Sequence, residues 1–408
     1  MDALRVLADD LTGACDVGAE LLPGPAGVVV QPAGGTPAAD VAPGTICVRN
    51  TQSRTLDPAA AARVVREALG DVPVTWSGLV LKKIDTGLRG PLGAEIDAAM
   101  DALGIDEAFV LPAIPEIGRT TQHGRQMIAG IPVDRTPFAR DPHHPIRDAS
   151  VPAALEATGR RRVAVVELTA VRADLGAAIA DVRQRGAAVV VCDAETDADL
   201  ERAVRVLLLR GRPLLLVGST GLARALRRVL GSEQPARATR PAGPAPLGGS
   251  GVLVVAGSAH PATRGQIARA VERALFEPIV VTDDAAASGA AAARRLRAGL
   301  ATALVPPVAP SADGAAAVLA GLRRAALTAL ARVRPDGLVL VGGETAHHVL
   351  EGLGLPGVWL ESRLCPLVVR GRLMSGAYAG LAVVTKGGST GAPDLLASIV
   401  RQLARGAV

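Results

Sequence analysis

Short runs of valine, isoleucine and leucine alternate along this chain with longer alanine- and arginine-rich segments, in which apolar residues recur with a helical period. Such alternation predicts strand–helix units built around a mostly parallel sheet. In the first part of the chain it predicts strands at residues 4–7, 27–30, 45–48, 79–82, 109–111, 163–166, 188–191 and 214–217. A predicted helix over residues 222–230 follows the last of these strands.

The alternation stops over residues 233–250, which are rich in proline, glycine and alanine and are typical of a linker. It restarts with predicted strands at residues 252–255, 278–281, 302–305, 338–341, 358–360, 367–369 and 381–384. Because 408 residues exceed the size at which a single core stops growing, we predict two α/β domains, residues 1–232 and 251–408, joined by the linker 233–250. Each domain should hold a mostly parallel sheet flanked by helices.

Residues 112–150 do not follow this pattern. They contain few apolar runs, six prolines and a cluster of arginine, histidine and aspartate, so we expect a long irregular segment. Segments of that kind inside a compact domain are usually functional.

The composition narrows the class of protein. Only six residues are aromatic although almost half are apolar, so the core should consist of alanine, valine and leucine. The net charge of +5 and the pI near 9.5 could suggest nucleic-acid binding. The arginines, however, are scattered along helical segments, and almost no aromatic residue is available to stack on bases. A modestly basic enzyme with anionic substrates explains the charge better.

The cysteines and the N-terminus indicate a compartment. The four cysteines are far apart and form no CxxC pair, which is typical of reduced core residues. The N-terminus carries acids where a signal peptide would carry bases, and no apolar run reaches the roughly 20 residues that a membrane span needs. We therefore expect a cytoplasmic protein without a membrane or nucleic-acid partner.

Two carboxylates lie where the first predicted strand runs into a helix. Asp9 and Asp10 are followed by Thr12 and Gly13, and ligands of open α/β sheets bind outside the carboxyl ends of the strands. Asp10 or Thr12 could simply cap the helix. Since one acid suffices for a cap, the second is available as a base, a hydroxyl-binding group or a metal ligand.

Lysine is rare here: 44 residues are basic, yet the only lysines are Lys82, Lys83 and Lys386. All three follow strand-like runs and precede glycine-containing turns, as expected of lysines that bind phosphate. Lys82 and Lys83 begin the sequence KKIDTGLRG, which adds Asp85, Thr86 and Arg89. We interpret this turn as an anion site, because a surface ion pair would not explain its glycines.

Two further arginines follow predicted strands. Ser53 and Arg54 come after the third strand, and Arg119 comes after the fifth. If four neighbouring strand ends carry Arg54, Arg89, Arg119 and a lysine, these cations converge on one cleft. Such a concentration of positive charge is suited to a small carboxylate or to a phosphoryl group in transfer.

Three glycine-containing loops follow strands in the second domain. They are GSAH at residues 257–260, GGETA at 342–346 and KGGSTG at 386–391. Backbone amides between a strand and a helix bind phosphate well, so together the loops indicate a nucleotide site. The chain lacks both a GxxxxGK[ST] P-loop and a GxGxxG fingerprint, and its paired histidines lack metal-ligand spacing, so we predict no metal site formed by protein ligands.

Taken together, these motifs resemble the four-carbon acid sugar kinases, a family with an N-terminal sugar-binding domain and a C-terminal nucleotide-binding domain. The resemblance covers nearly the whole chain and rests on ADDLTGACD, KKIDTGLRG, the segment from LPAIPEIGRTTQHG to DRTPFARDP, and then GSAHPATRGQI, VGGETA and VTKGG, in that order. It implies a sugar-acid-binding domain at residues 1–232 and a nucleotide-binding domain at residues 251–408, with the active site in the interdomain cleft.

The resemblance also implies the reaction, which is transfer of a phosphoryl group from ATP with Mg²⁺ to the terminal hydroxyl of threonate, erythronate or 3-oxo-tetronate. Asp10, the first choice, or Asp85 would accept the hydroxyl proton, and Lys83 would meet the phosphoryl group. Arg54, Arg89 and Arg119 would hold the substrate carboxylate. The substrate-binding residues implied in this way are Asp9, Thr12, Ser53, Arg54, Lys82, Thr86, Arg89 and Arg119. The nucleotide-binding residues are Ser258, Gly342, Gly343, Glu344, Thr345, Ala346, Lys386, Gly387, Gly388 and Gly391.

Two other classes remain open from the sequence. A dehydrogenase of small hydroxy acids would share the α/β layout but should carry a dinucleotide fingerprint. A non-catalytic sugar-acid sensor would not need the glycine loops of the second domain. The sequence also leaves open which acid is bound, since NTQSR and TG stand where relatives usually carry acids and a Ser-Thr pair. The oligomeric state is open as well, and a homo-oligomer is one option.

Overall fold

The computed structural model describes residues 4–22, 26–34, 41–73, 76–141, 144–211, 213–231, 250–307, 314–354, 357–374 and 376–404. The chain divides into two compact units. The first consists of Met1–Val28 and Ala42–Ala238, and the second of Val29–Val41 and Thr239–Val408. The predicted linker, residues 233–250, lies outside the described residues except for Ser250.

The first unit is built on a parallel sheet of seven strands in the order β3-β1-β4-β11-β5-β10-β9. Its strands are β1 (Leu4–Ala8), β3 (Ile46–Asn50), β4 (Leu79–Lys83), β5 (Ala108–Leu111), β9 (Val163–Val166), β10 (Val189–Cys192) and β11 (Leu214–Gly218). The helices that flank it are α1 (Leu11–Glu20), α2 (Pro58–Leu69), α3 (Leu92–Leu103), α4 (Val151–Glu156), α5 (Leu168–Gln184), α6 (Asp197–Leu208) and α7 (Thr220–Leu230).

The predicted irregular segment at residues 112–150 is more ordered than its sequence indicates, and this part of the prediction was wrong. It holds a small antiparallel sheet of β6 (Arg119–Gln122), β7 (Arg125–Ile128) and β8 (Ile131–Pro132). His123 and Gly124 form the first turn, with φ of 49° and 68°, and two positive φ angles are what a tight hairpin needs. The strands are too short and too polar to produce a clear hydrophobic alternation.

The second unit holds a sheet in the order β13-β14-β12-β15-β18-β17-β16-β2, of which the first five strands are parallel. The last three pair antiparallel, so the mostly parallel sheet predicted from the sequence has an antiparallel edge. The strands are β2 (Val28–Gln31), β12 (Val252–Ala256), β13 (Glu277–Val280), β14 (Thr302–Val305), β15 (Gly337–Val341), β16 (Val358–Cys365), β17 (Val368–Leu373) and β18 (Ala382–Lys386). The helices are α8 (Pro261–Glu272), α9 (Ala285–Arg297), α10 (Ala315–Leu330), α11 (Gly343–Gly352) and α12 (Leu395–Ala404).

Strand register places the predicted site loops side by side within each unit. In the first unit Ala8 is level with Asn50 on one side and with Lys83 on the other. In the second unit Val341 lies between Ala256 and Lys386. The loops that leave these strands therefore start at one edge of each sheet.

One detail of strand order differs from the prediction of four neighbouring strand ends. β11 lies between β4 and β5, so the strands before Arg54, Arg89 and Arg119 are not consecutive neighbours. The strand order of a parallel sheet depends on long crossover connections, and the chain returns to this central position only after β10. Arg119 nevertheless reaches Thr86, as described below.

The cores of both units are aliphatic, as the composition predicts. Buried valine and leucine dominate β4, β11, β12 and β15, and Phe109 is the largest fully buried aromatic side chain of the described residues. None of the helices in the described residues combines the length and apolar character that a membrane crossing requires.

Candidate functional site

Four charged side chains meet beyond the ends of β1, β3 and β4. The Arg54 guanidinium donates to Asp9 Oδ2 (2.8 Å) and to Asp10 Oδ1 (2.6 Å). The Lys83 ammonium lies 3.3 Å from Asp9 Oδ1 and 3.5 Å from Asp10 Oδ1. The predicted cluster of carboxylates and cations therefore forms within the first unit.

Asp10 is also the N-cap of α1. Its Oδ1 accepts a hydrogen bond from Gly13 N (3.0 Å), and its Oδ2 accepts one from the Thr12 hydroxyl (2.6 Å). A Cβ atom on Gly13 would lie 2.3 Å from Lys83 Nζ, so only glycine allows the lysine to cross the start of the helix. The Asp10 carboxylate thus both caps α1 and takes part in the charge cluster.

Both carboxylates are ionised. Burial opposes the charge of Asp9, but Arg54 and Lys83 outweigh it and hold the pKa of Asp9 far below its ordinary value. The same balance of burial against Arg54 and Lys83 lowers the pKa of Asp10. Each side chain can therefore accept a proton or a hydrogen bond at neutral pH.

The turn after β4 forms a second group of charges. Arg89 donates to both oxygens of Asp85 (2.7 and 3.2 Å) and to Asp141 Oδ2 (2.9 Å). Burial opposes ionisation of Asp85, but Arg89 and Arg54 hold its pKa well below the ordinary value. Two carboxylates thus neutralise Arg89.

Arg119 is in a different situation. Its guanidinium donates to Thr86 Oγ1 and lies over the Phe138 ring, 5.9 Å from the centroid. Arg89 lies 5.0 Å from the same ring. Arg119 is buried, and burial lowers its pKa from the ordinary value. Among the described residues no carboxylate forms an ion pair with it, so it remains available to an anionic ligand.

Ser53 and Lys82, both predicted to bind substrate, are fully buried and meet Glu95 of α3. Lys82 Nζ lies 3.3 Å from Glu95 Oε1, and the Ser53 hydroxyl donates to the same oxygen. Sequence reasoning did not single out Glu95, Phe138 or Asp141. The signals available were an acid within the apolar helix α3 and an aromatic residue in a chain that has few of them.

In the second unit the predicted nucleotide loops lie together. A Cβ atom on Gly388 would come within 2.0 Å of Ser258 Oγ, and one on Gly257 within 2.3 Å of Thr345 Oγ1. Gly342 N donates to the Lys386 carbonyl (2.9 Å). The three loops are therefore packed so closely that side chains at these glycines would separate them.

The start of α11 has the geometry of a phosphate site. Its N-cap is Gly342, with φ of 105°, and no side chain caps the helix. Gly343, Glu344, Thr345 and Ala346 form the first turn. Ala346 N donates to the Gly342 carbonyl (2.9 Å), and a helix start attracts anions through its backbone amides and the helix dipole.

Residues on α8 hold the last glycine loop, which sequence reasoning did not foresee. Thr263 Oγ1 donates to the Gly388 carbonyl (2.8 Å), and Gln266 Nε2 donates to the carbonyls of Thr390 and Gly391 (both 3.0 Å). With its carbonyls bound in this way, the loop keeps a fixed conformation between Lys386 and Gly391.

Lys386 is a buried ammonium. Its Nζ donates to the Gly387 carbonyl (2.9 Å), and burial lowers the pKa of Lys386 to about 8. An incoming phosphate would compensate for the lost hydration of this ammonium.

Metal ligands are not clustered in the described residues. No group of three or more histidine, cysteine or acidic side chains lies close enough together there to hold a metal ion.

Comparison with known families identifies both units. A sugar-binding N-terminal domain model matches residues 4–226, and a nucleotide-binding C-terminal domain model matches residues 253–396. Curated relatives of this chain are named D-threonate, D-erythronate and 3-oxo-tetronate kinases. The chain therefore belongs to the family of four-carbon acid sugar kinases, which confirms the resemblance seen in the sequence.

The relatives match over most of their length. The D-threonate kinase of Bordetella bronchiseptica is 34% identical, and the alignment covers 96% of this chain and 95% of the relative. The D-erythronate kinase of Heliobacterium modesticaldum is 30% identical, with 86% of each chain covered. A solved structure from Salmonella typhimurium LT2 has a TM-score of 0.77 and 23% identity over 98% of this chain and 99% of its own, and it supports the fold alone.

Proposed function

We propose that this kinase transfers the γ-phosphoryl group of ATP to the terminal hydroxyl of a four-carbon sugar acid, giving the phosphorylated acid, ADP and a proton. The observation that carries the proposal is the burial of Arg119 and its lack of a close ion pair among the described residues. In the part of the chain that the structure describes, Arg119 forms no close ion pair and feels Asp85 and Asp16 only from farther away, while Arg54 and Arg89 are each paired with two carboxylates.

The substrate carboxylate would bind Arg119, because a guanidinium forms strong, charge-assisted hydrogen bonds with it. Thr86 and the Phe138 ring fix the plane of that guanidinium. Asp9, Asp10 and Asp85 then supply acceptors for the hydroxyl groups of the acid. Arg54 and Arg89 act mainly by keeping these carboxylates ionised and oriented.

The nucleotide phosphates would bind the second unit at the amides that begin α11, at the Gly387–Gly388 loop and at the Lys386 ammonium. The lack of space at Gly388 and Gly257 and the absence of a side-chain cap on α11 fit a phosphate ligand. Mg²⁺ usually binds one or two carboxylates together with substrate phosphates. Glu344, in the first turn of α11, could supply one of these ligands.

Phosphoryl transfer depends mainly on positioning and on neutralising charge. We assign the proton of the attacking hydroxyl to Asp10, with Asp85 as the alternative. Lys83 lies beside Asp9 and Asp10, where it can meet the negative charge of the transferring group. Since the cell supplies ATP in the cytoplasm, this reaction is consistent with the location expected from the sequence.

The test is a coupled assay of ADP release over D- and L-threonate, D- and L-erythronate and 3-oxo-tetronate. Gluconate serves as a six-carbon control, and threitol and erythritol as uncharged controls. We expect ADP release with at least one four-carbon acid and very slow release with all controls. Release with gluconate at the same rate, or with none of the four-carbon acids, would contradict the proposal.

Replacing Gly388 by alanine should impair nucleotide binding. The new Cβ would lie 2.0 Å from Ser258 Oγ and 2.8 Å from Ser258 Cβ, so Ser258 and the loop must move apart. We expect the Kd for ATP, measured by calorimetry, to rise by about tenfold or more, with little change for the sugar acid. The control is Gly265→Ala on α8, where the added Cβ meets nothing within 4 Å. Equal losses for both ligands would argue against this nucleotide site.

The buried ammonium of Lys386 predicts a pH dependence. Lysine binds phosphate in its protonated form, which is lost as the pH rises through about 8. We therefore expect kcat/KM for ATP to decline above that pH. Lys386→Arg, which stays protonated, should have lower activity but no decline of this kind. The same alkaline decline in the arginine variant would rule out Lys386 as its source.

A further inference from the structure

Three fully buried polar side chains lie beneath the charge cluster of the first unit. Ser53 comes from the loop after β3, Lys82 from β4 and Glu95 from α3, and the exposed fraction of each is 0%. Glu95 Oε1 accepts a hydrogen bond from the Ser53 hydroxyl and lies 3.3 Å from Lys82 Nζ. We call these three residues the buried triad.

Burial raises the pKa of Glu95 although Lys82 opposes the rise, so a buried acid–lysine pair of this kind needs an explanation. Removing two charges from water costs several kcal/mol per ion, and apolar residues of similar size often serve stability equally well. Lys82 gains one further hydrogen bond, to the Lys83 carbonyl (3.2 Å). Glu95 Oε2 has no hydrogen-bond partner among the described residues. The triad is therefore poorly explained by stability alone.

The triad is connected directly to Arg54. Thr51 N and Oγ1 both donate to the Ala8 carbonyl (2.8 and 2.9 Å), which attaches the start of the loop to β1. Arg54 N donates to the Asp9 carbonyl (3.2 Å), which attaches its end. Between these two points, the Ser53 hydroxyl donates a hydrogen bond to Glu95 Oε1. The loop is thus fixed on both sides of the residue that precedes Arg54.

We infer that Ser53, Lys82 and Glu95 are positioning residues, which hold the loop after β3 so that the Arg54 guanidinium bridges Asp9 and Asp10. This assignment differs from the sequence-based expectation that Ser53 and Lys82 contact the substrate, because neither side chain is exposed. It rests on the proposed function only in that Asp9 and Asp10 act on the sugar acid.

The geometry explains why the loop after β3 has to be held in a fixed position. Asp9 and Asp10 are adjacent like charges, and one edge of the guanidinium reaches both, with Nε donating to Asp9 and Nη2 donating to Asp10. An arginine side chain has several rotatable bonds, so a displaced backbone would let it leave one of the two carboxylates. Misplacement by about 1 Å can cost two orders of magnitude in rate.

A double-mutant cycle tests the inference. We expect Ser53→Ala to lower kcat/KM for the sugar acid by about tenfold or more while the KM for ATP stays unchanged. If Ser53 acts through Arg54, the variant Ser53→Ala/Arg54→Lys should be no slower than Arg54→Lys alone. Losses that multiply in the double variant would refute the connection. The control is Ser288→Ala, which removes a buried serine hydroxyl on α9 of the second unit and should leave activity unchanged.

The charge of the triad is tested separately. Glu95→Gln keeps an acceptor for Ser53 but leaves the Lys82 ammonium unpaired, so it should be slow. Lys82→Met/Glu95→Gln removes both charges and should recover most of the loss. Glu20→Gln, which breaks the buried pair of Glu20 with Arg224, should lower the melting temperature without changing kcat. A double variant that remains as slow as Glu95→Gln would contradict the role of charge pairing.

Crystal structures of Ser53→Ala and Ser288→Ala provide a readout that does not depend on turnover. Only in Ser53→Ala should Arg54 lose its contact with Asp9 or Asp10. If Arg54 keeps both contacts there, the inference is wrong even when the enzyme is active. If the unmodified enzyme releases no ADP with any four-carbon acid, the proposed function fails, while this comparison still decides the positioning role.

Discussion

Arg119→Met should raise the KM for the sugar acid by roughly 30- to 1,000-fold, because losing a buried partner of a charge pair costs about 2–4 kcal/mol. The methionine fills a similar volume beside Phe138 but offers no donor to a carboxylate. The KM for ATP should change little, since the nucleotide loops belong to the other unit. Initial rates over a matrix of acid and ATP concentrations give both constants.

The comparison with an uncharged polyol makes this prediction specific. The unmodified enzyme should prefer threonate or erythronate over threitol or erythritol, and Arg119→Met should lose most of that preference. The matched control is Arg210→Met, since Arg210 also lies over a phenylalanine ring, 5.4 Å from Phe109, and pairs with Glu107. A variant of Arg119 that keeps the preference would show that Arg89 or Arg54 binds the carboxylate.

The strands and the loops between them could be predicted from sequence because each depends on local pattern. Val252–Ala256 is a fully buried valine-rich strand followed by glycine and serine, and this combination is visible in the letters alone. The positions of Asp10 at a helix start and of Lys386 at a strand end follow in the same way. Register then brings such ends together without further information.

The partners of the charged side chains could not be predicted. Asp141 is 52 residues from Arg89, and Glu95 is 42 residues from Ser53, so no local pattern relates them. Three arginines that look equivalent in sequence differ in the structure because two meet carboxylates and the third meets a threonine and an aromatic ring. The insertion of β11 between β4 and β5 depends on chain crossovers, which periodicity does not specify.

The second large effect that we predict is the fall in kcat when the catalytic base is removed. A hydroxyl attacking a phosphoryl group needs a carboxylate within hydrogen-bond reach, and Asp10 is oriented for this by Gly13 N and Thr12. Asp10→Asn should lower kcat by about 10²- to 10⁴-fold if Asp10 accepts the proton. The asparagine oxygen can still cap α1, so the fold and ATP binding should persist. Asp57→Asn, which changes the exposed N-cap of α2, is the control and should be fully active.

The pH dependence adds an independent check on Asp10. Burial favours the neutral acid, but Arg54 and Lys83 outweigh it and lower the pKa of Asp10 from its ordinary value of 3.8. The base therefore stays ionised as the pH falls from 7, and kcat should not decline on its account until the pH is below that ordinary value. A variant that weakens the ion pair between Arg54 and Asp10 should move this decline to higher pH. If Asp10→Asn stays within a few-fold of the parent and Asp85→Asn is slow, Asp85 is the base, and normal kcat in both variants would exclude a carboxylate base at either position.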